Sequence, residues 1–498
     1  MHRIQQLAQQ TVVYGISTMA GRLLHYLLVV AYTSVFLPET YGLITEFYAY
    51  AAFFNIVYTY GLETSYFRFA TQGQASHIFS LTVSTLCFTS LIFSGILAYL
   101  ATPLIDCLGY TGCERYVYYL AVILATDTWL AIPLARLRLQ KRVSSFVAIK
   151  LWHIGLTLAL NLGWLYILPA MGQVGGPARL QPSLAYLPTA TPRVDYVFLA
   201  NAIANVATLP LLVKSFGQVR WQLSWQQLRP MLTYAFPLLL MGLAGTANEV
   251  LSRALLRHWL PAHLYADQTL ETVVGIFGAC YKLSIFMSLG VQAFRYAAEP
   301  LFFLQARDKQ APALFSHIMH AFILCTCFLL LAVTLNLDML AQLLLRNPTY
   351  RSGIDIVPYL LLAYLWLGVY YNLSVGYKLA DKTYLGACIA GIGLAVTWLI
   401  NLWGVPRLGY WGSVWATLGS YLTMSSLAYY WGQKHYPIPY RVARELGYIA
   451  GAWGLALLFR SLRHALGPFL VPINIILILA FVQLWRQCMR SYSAWAVT

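Results

Sequence analysis

The dominant feature of this chain is a succession of long apolar stretches that carry almost no charge. Fourteen of them reach the roughly 20 residues that a helix needs to cross a ~30 Å hydrocarbon core. Only 10% of the 498 residues are Asp, Glu, Lys or Arg, whereas 60% are hydrophobic. A soluble enzyme or a nucleic-acid-binding domain needs far more surface charge than this, and the strands of an outer-membrane barrel alternate in polarity. The pattern predicts an all-α polytopic membrane protein.

The predicted transmembrane helices are joined by short loops. Their even number places both termini on one side of the membrane. We expect them near residues 10–36, 41–66, 77–104, 115–135, 144–169, 193–215, 231–256, 272–298, 313–336, 354–377, 384–403, 411–432, 442–459 and 468–485.

The distribution of positive charge predicts the orientation. Lys and Arg residues on the side of the termini outnumber those on the opposite side by two to one, and the densest cluster is "RLRLQKR" at 136–142. Since cytoplasmic loops carry the excess of positive charge, we expect both termini to lie in the cytoplasm. The net charge of +16 is then explained by topology and by contacts with membrane lipids, without a nucleic-acid partner.

A short internal repeat predicts how the helices are grouped. The segment "SYFRFA" (65–70) is matched by "QAFRYA" (292–297), 227 residues later. Both stand at the end of the second helix of a six-helix set, as expected of a transporter built from duplicated halves. We therefore expect two six-helix lobes, at 1–216 and 217–435, followed by a helix pair and a cytoplasmic tail at 436–498.

Charged side chains within the predicted helices mark the candidate sites. Each costs about 2.5–3.5 kcal/mol at a lipid-facing midplane, so the deep ones must face a hydrated cavity or each other. Arg22 shares a polar face of helix 1 with His25. It either lines a cavity or locks helix 1 to a neighbouring helix. Lys282, in helix 8, either meets an anion or loses its proton.

The deep carboxylates are the candidates for ion coupling. Asp127 in helix 4 either pairs with Arg22 or is a proton or cation site. Glu249 in helix 7 either neutralises Arg253 four residues on or titrates during a transport cycle. Helix 5 carries one polar stripe formed by Lys150, His153, Thr157 and Asn161, and Arg295 precedes Glu299 by four residues in helix 8.

Cysteine usage predicts neither a metal centre nor a cofactor. The eight Cys have no spacing typical of a zinc or redox motif. Cys107 and Cys113 both fall in the outside loop "DCLGYTGCE", where they form either a disulfide in an oxidising periplasm or two thiols.

Five segments, in this order and spacing, resemble the oligosaccharide flippases, the Wzx-type polysaccharide transporters of the multidrug/oligosaccharidyl-lipid/polysaccharide (MOP) exporter superfamily. They are "YGLITEFYAYAAFFNIVYTYGLETSYFRFA" (41–70), "AIPLARLRLQKR" (131–142), "AFPLLLMGLAGTANEVLSRALL" (235–256), "GACYKLSIFMSLGVQAFRYAAEPLFF" (278–303) and "GVYYNLSVGYKLADKTYLGA" (368–387). The resemblance implies a V-shaped transporter with an inter-lobe cavity that works by alternating access.

The same resemblance implies the substrate and the site. The substrate is an undecaprenyl-pyrophosphate-linked oligosaccharide, moved from the cytoplasmic to the periplasmic leaflet for cell-surface polysaccharide synthesis, such as that of lipopolysaccharide. Basic residues line the cavity in this family, which points to Arg22, Lys282, Arg68 and Arg295, with His25 beside them. The resemblance implies a location in the bacterial inner membrane and makes polysaccharide polymerase machinery a candidate partner. It leaves open whether protons, sodium or the membrane potential drive transport.

Two other functions compete with this hypothesis. An antiporter of small cations, similar to the multidrug exporters of the same superfamily, requires deep unpaired carboxylates, and this chain places cations near Asp127 and Glu249. A membrane-embedded glycosyltransferase requires a catalytic carboxylate in a sizeable aqueous loop, and the longest outside loop, 170–192, contains no acidic residue. We therefore expect a transporter, not an enzyme.

Overall fold

The computed structural model describes residues 27–70, 75–110, 112–140, 142–167, 194–265, 268–305, 310–380, 382, 384–463 and 469–497. All regular secondary structure in these ranges is helical, which confirms the predicted fold class. The described part of the chain divides into two compact units, a first that ends at Val250 and a second that begins at Leu251. The division falls within the helix Trp225–Ala254. The predicted lobe boundaries after residues 216 and 435 stay predictions.

The first unit contains the helices that lead up to this division. They are α1 (27–35), α2 (Pro38–Thr59), α3 (Leu62–Ala70), α4 (Ala75–Tyr99), α5 (Ala101–Leu108), α6 (Glu114–Leu139), α7 (Val143–Leu162) with a π-helical turn at Gly163–Ile167, α8 (Val194–Thr208), α9 (Val213–Phe216) and most of α10 (Trp225–Ala254).

The second unit contains the remaining helices and short 3₁₀ segments between them. The helices are α11 (Leu256–Trp259), α12 (Leu270–Leu283), α13 (Ile285–Gln305), α14 (Ala311–Leu335), α15 (Leu337–Leu344), α16 (Val357–Leu379), α17 (Tyr384–Leu408), α18 (Tyr410–His435), α19 (Val442–Ser461) and α20 (Leu470–Val497).

The number of membrane spans differs from the expected fourteen. Helices cover the described part of every predicted segment, but only ten of them are long and apolar enough to cross a membrane, or eleven if α12 and α13 form one bent span. Among the described residues the count of fourteen is therefore not confirmed. Polar and Tyr residues within α2 and α18 lower the mean hydropathy of those two helices, and only residues 27–35 of the first predicted span are described.

Two predicted helices are broken, and each break has a local cause. Tyr60 and Gly61 adopt positive φ angles of 30° and 75°, which separates α2 from α3. A side chain at Gly61 would also meet the Ala235 carbonyl oxygen at 2.9 Å from its Cβ, so glycine is required there. In the second unit α12 and α13 are bent by 42° at Ser284, whose hydroxyl donates to the Tyr281 carbonyl at 2.6 Å. Such back-bonding bends helices.

Small residues bring helices of the second unit into backbone contact. A Cβ added at Gly412 in α18 would lie 2.3 Å from the Gly404 carbonyl carbon in α17. A Cβ at Gly376 in α16 would lie 3.3 Å from the Gly432 Cα in α18. Membrane helices use small residues in this way, because lipid tails leave close packing as the main attraction between them.

Candidate substrate and ion-coupling sites

A polar network in the first unit is centred on Asp127. This carboxylate is half-buried in α6. Its Oδ1 accepts a hydrogen bond from the Asn205 side-chain amide in α8 at 2.8 Å, and its Oδ2 accepts a longer one from the Asn55 amide in α2 at 3.5 Å. Sequence analysis selected Asp127, but the two amides that hold it were not predicted. The predicted alternative partner, Arg22, lies outside the described residues.

Asn205 connects Asp127 to a histidine on a third helix. Its side chain is 1% exposed, and its Oδ1 lies 2.6 Å from Nε2 of His153 in α7. Since an amide oxygen can only accept, His153 carries a proton on Nε2. The Asn205 Nδ2 also donates to the Ile123 carbonyl oxygen at 3.3 Å, which helps to hold the amide in this orientation.

Further polar groups surround the network. The Asn201 amide in α8 donates to the Tyr48 hydroxyl in α2 at 3.0 Å. Both Tyr48 and Lys150, in α7, interact electrostatically with Asp127. Lys150 therefore belongs to the surroundings of Asp127, although the sequence alone left open whether it extends to the membrane interface.

The predicted polar stripe on α7 also holds α1. Thr157 and Asn161 are buried, and Asn161 accepts a hydrogen bond from the Tyr32 hydroxyl in α1 at 2.8 Å. One turn later, Tyr166 in the π-helical turn lies 2.5 Å from the Ser34 hydroxyl. The stripe is thus a row of contacts between helices.

The second unit repeats this arrangement. In α17 the buried Asn401 donates to the Thr397 carbonyl oxygen at 2.8 Å, and in α7 Asn161 donates to the Thr157 carbonyl oxygen at the same distance. Asn401 also donates to the Ser252 hydroxyl in α10 at 3.0 Å. A Thr-x-x-x-Asn-Leu pattern in both segments was a second signal of duplication that sequence analysis missed.

A small pocket lies between α13 and α16 in the second unit. Arg295 and Lys378 contribute positive charge to its lining, and the Arg295 guanidinium lies 4.8 Å from the centre of the Tyr371 ring. The Asn372 side chain and apolar groups such as Phe294 complete the wall. Arg295 was predicted as a site residue, but Lys378 was not, because its place near the end of a helix indicated only topology.

The repeated arginine of the first unit has different surroundings. Arg68 is exposed and lies 4.2 Å from the Tyr234 ring centre, in α10. Nearby, Arg138 and Glu63 form an ion pair. The two arginines of the repeated "FR-aromatic-A" segments thus differ in their contacts, since Arg295 lines the pocket between α13 and α16 and Arg68 lies over the Tyr234 ring.

The other predicted site residues are only partly described. Lys282 is half-buried in the last turn of α12, just before the bend at Ser284. It follows Tyr281, whose hydroxyl lies 2.8 Å from that of Tyr364. Arg22 and His25 lie outside the described residues, and so does the side chain of Glu249.

The two cysteines predicted in one outside loop lie in different places, since Cys107 is within α5 and Cys113 directly precedes α6. Cys107 is exposed, Cys113 is half-buried, and both are present as thiols. Among the described residues no group of three His, Cys, Asp or Glu side chains could hold a metal ion.

Sequence analysis missed a buried carboxylate in α2. Glu46 is 0% exposed and accepts hydrogen bonds from the hydroxyls of Tyr110 at 2.6 Å and Tyr50 at 3.1 Å. Tyr50 follows Glu46 by four residues, a spacing that places both side chains on one face of a helix. This spacing was the signal in the sequence that pointed to their hydrogen bond. Glu46 anchors the segment after α5, since Tyr110 lies just beyond that helix.

Charged pairs also attach α19 to its neighbours. Glu445 accepts from His320 in α14 at 2.9 Å. Near the other end of α19, Arg460 forms ion pairs with Asp338 at 2.8 Å and with Asp355 at 2.5 Å. These contacts hold both ends of α19 against other segments of the second unit. The sequence pattern does not reveal this role.

Comparison with known proteins identifies the fold. No family model matches the sequence, and no curated protein matches it. The structure is similar to the lipid II flippase MurJ in an inward closed conformation, with 12% identity and a TM-score of 0.65 over 96% of this chain and 99% of that chain.

Multidrug transporters share the same architecture. An inward-facing multidrug resistance MATE family transporter of the MOP superfamily matches with 12% identity and a TM-score of 0.63 over 85% of this chain and 97% of that chain. A point mutant of the Vibrio cholerae MATE transporter VcmN matches with 14% identity and a TM-score of 0.58 over 87% of this chain and 96% of that chain. The chain therefore has the two-lobed helical fold of the MATE transporters and MurJ. The finer resemblance to Wzx-type flippases stays a prediction.

Proposed function

We propose that this protein is a flippase that moves an undecaprenyl-pyrophosphate-linked oligosaccharide from the cytoplasmic to the periplasmic leaflet by alternating access. The fold supports a transporter, since it is shared with MATE transporters and with a lipid II flippase. The observation that favours an anionic lipid substrate is the pocket that contains both Arg295 and Lys378.

The chemistry of this pocket suits a phosphorylated lipid headgroup. Arg295 offers a planar fork of N–H donors that matches phosphate oxygens, and Lys378 adds a second cation. The apolar side chains of Val291 and Phe302 lie beside these charges, as required where a headgroup joins an isoprenoid tail. In this conformation the enclosed space holds little more than one water molecule, so binding of a pyrophosphate requires the side chains of α13 and α16 to move apart.

The alternative function is export of small cations by an antiporter of the same fold. The half-buried Asp127 favours this alternative, because a carboxylate attracts cations. The pocket disfavours it, because Arg295 and Lys378 would repel a cationic substrate. The two hypotheses therefore predict opposite effects of removing these two charges.

The remaining sequence-based candidates form part of the same proposal. Arg22, His25 and Lys282 are proposed to contact the substrate anion, and Arg68 to contact it before or after translocation. Asp127 and Glu249 are proposed to couple transport to an ion. The protein is proposed to lie in the bacterial inner membrane with cytoplasmic termini and to contact anionic lipids. It is also proposed to supply the translocated oligosaccharide to a polysaccharide polymerase machinery.

Binding of undecaprenyl pyrophosphate to the purified protein tests the pocket. Arg295→Ala and Lys378→Ala should each weaken this binding by about 10- to 100-fold, since a charge-assisted hydrogen bond contributes about 1.5–3 kcal/mol. Native mass spectrometry measures the fraction of protein that carries the lipid, and a soluble analogue of the headgroup serves as the competitor.

Arg407→Ala is the matched control. Arg407 also lies over an aromatic ring, 4.4 Å from the centre of Trp403, but it does not line the pocket. Its replacement should leave binding unchanged. Equal affinities for wild type and both pocket variants would contradict the assignment of the pocket to the headgroup.

A further inference from the structure

We propose that residues 219–225, the linker segment between α9 and α10, form an interfacial anchor that binds anionic phospholipid headgroups. The segment stands between two helices that are long and apolar enough to cross a membrane, Val194–Phe216 and Trp225–Asn248. The inference assigns the contact with anionic lipids to one place in the first unit. It does not depend on which substrate the protein translocates.

The backbone of the linker segment is held against α4. The Arg220 N–H group donates to the Ser80 hydroxyl at 3.1 Å, and the Gln222 N–H group donates to the Ser84 hydroxyl at 3.3 Å. Ser80 and Ser84 are one helical turn apart in α4, and both are buried. The linker segment therefore runs along α4, with these two backbone donors satisfied by serine side chains.

Side chains strengthen this attachment. The Gln222 side-chain amide donates to Nδ1 of His77 in α4 at 2.9 Å, and Nε2 of the same ring contacts Oε1 of Gln227 in α10. Val219 is buried in an apolar cluster that includes Phe79. One histidine thus joins the linker segment, α4 and the first turn of α10.

The contacts with α4 indicate the depth of the linker segment in the membrane. At about 1.5 Å per residue, the 25 residues of α4 extend over about 37 Å, roughly 7 Å more than the hydrocarbon core. Ser80 and Ser84 lie about 8 Å and about 14 Å along α4 from its first residue, Ala75. Even with all the excess length at this end, Ser80 stands at the edge of the core and Ser84 inside it. Non-helical backbone at this depth needs protein partners, and the two serines supply them.

Alternate side chains of the linker segment are large, apolar and exposed. The exposed fractions are 67% for Trp221, 58% for Leu223 and 68% for Trp225. Exposed apolar groups of this size, close together, mark a surface that contacts a membrane or another protein. Tryptophan is enriched where a span meets the headgroup region, because its ring is apolar and its N–H group still donates a hydrogen bond. At the edge of the core these side chains meet lipid.

The charge around the linker segment selects an anionic headgroup. Lys214, Arg220 and Arg229 are all exposed, and the sequence contains no Asp or Glu between Asp195 and Glu249. A cation close to an anionic leaflet strengthens binding by about fivefold. An acidic soluble protein would meet the same cations only beyond the headgroups, whereas Ser80 and Ser84 hold the segment at the level where headgroups lie.

A fluorescent probe attached at Leu223→Cys tests where the linker segment lies. The exposed Cys107 and Cys388 are first replaced by serine, and the protein is reconstituted in nanodiscs. A nitroxide on the lipid headgroup should quench this probe strongly, and iodide in the water should quench it weakly. The matched control is a probe at Thr349→Cys, an exposed residue of the 3₁₀ segment Pro348–Ile356, which should show the reverse order. Equal quenching of the two probes by iodide would overturn the anchor and favour a soluble partner.

The preference for anionic lipid is measured with the protein labelled at position 223. At equal mole fractions, nitroxide-labelled phosphatidylglycerol should quench the probe more than nitroxide-labelled phosphatidylcholine. Arg220→Gln and Arg229→Gln should each lower this preference by about fivefold. Arg407→Gln removes an exposed arginine from α17 and should leave the preference unchanged. A double variant at 220 and 229 that keeps the full preference would refute the role of these cations.

Hydrogen exchange tests the attachment to α4 without a label, so it remains informative if the labelled variant folds poorly. Replacement of both Ser80 and Ser84 by alanine should accelerate exchange of the Arg220 and Gln222 amides by about 2- to 10-fold, since each amide loses one hydrogen bond. Ser76→Ala, at an exposed serine in the first turn of α4, should leave their exchange unchanged. Unchanged exchange in the double alanine variant would contradict the attachment.

These experiments separate the anchor from the proposed function, because none of them needs the translocated substrate. Absence of translocation in a transport assay, together with lipid quenching at position 223, would contradict the flippase function alone. Translocation together with strong iodide quenching at position 223 would contradict the anchor alone.

Discussion

Replacement of Gly412 by alanine should separate two helices that now touch through their backbones. A Cβ at this position would lie 2.3 Å from the carbonyl carbon of Gly404, 2.4 Å from the Val405 nitrogen and 2.7 Å from the Gly404 oxygen. All three are backbone atoms and cannot move aside by a change of rotamer. The only remedy is a shift of α17 away from α18, by roughly 1 Å for ordinary van der Waals contact.

The magnitude follows from two opposing effects. Overpacking of a well-packed interface costs about 1–3 kcal/mol, whereas alanine in place of glycine in a helix contributes about 0.5–1 kcal/mol of stability. We therefore expect Gly412→Ala to lower the free energy of unfolding by about 1–2 kcal/mol. Gly391, in α17, has no atom within 4 Å of an added Cβ, so Gly391→Ala should be neutral or slightly stabilising.

Thermal unfolding in detergent micelles gives the measurement, with a thiol-reactive fluorophore that reports exposure of the buried Cys280 and Cys327. The two variants should shift the midpoint in opposite directions. If Gly412→Ala were as stable as Gly391→Ala, the close approach of α17 and α18 would not contribute to the stability of the second unit, and the reasoning would be refuted.

Two further predictions concern the first unit. A membrane-impermeant maleimide added outside intact cells should label the exposed Cys107 without prior reduction, because it is a thiol in α5, a segment expected to face the periplasm. Labelling only after reduction would contradict the thiol state, and labelling only from the cytoplasmic side would contradict the orientation. Glu46→Ala should destabilise the protein by about 2–4 kcal/mol, since the hydroxyls of Tyr50 and Tyr110 lose their acceptor. Glu46→Gln keeps one acceptor and should cost less in the same unfolding assay, so equal losses would argue against these hydrogen bonds.

The positions of the helices could be predicted from the sequence, because burial in a bilayer requires long apolar runs and leaves little freedom in their placement. The same reasoning selected Asp127 and the polar stripe with Asn161, since polar groups at depth need partners. The breaks were not predicted. Gly61 and Ser284 act through backbone conformation and a local hydrogen bond, and hydropathy averaged over a span does not register either effect.

The partners of the site residues could not be predicted either. Asn205 meets Asp127 from 78 residues away in the chain, and the sequence alone contains no measure of such contacts. Lys378 was interpreted as a topology signal because a lysine near a helix end is typical of a membrane interface. Its place beside Arg295 became evident only when α13 and α16 were packed against each other.

The central claim, that the chain translocates a pyrophosphate-linked oligosaccharide, is tested most directly by reconstitution. Labelled undecaprenyl-pyrophosphate oligosaccharide placed in one leaflet of proteoliposomes should become accessible to a glycosidase or lectin on the other side. Translocation should occur with wild type and Arg407→Ala, and it should be lost with Arg295→Ala and Lys378→Ala. Movement of a cationic dye in place of the labelled lipid, unaffected by these two replacements, would contradict the claim and favour the small-cation antiporter.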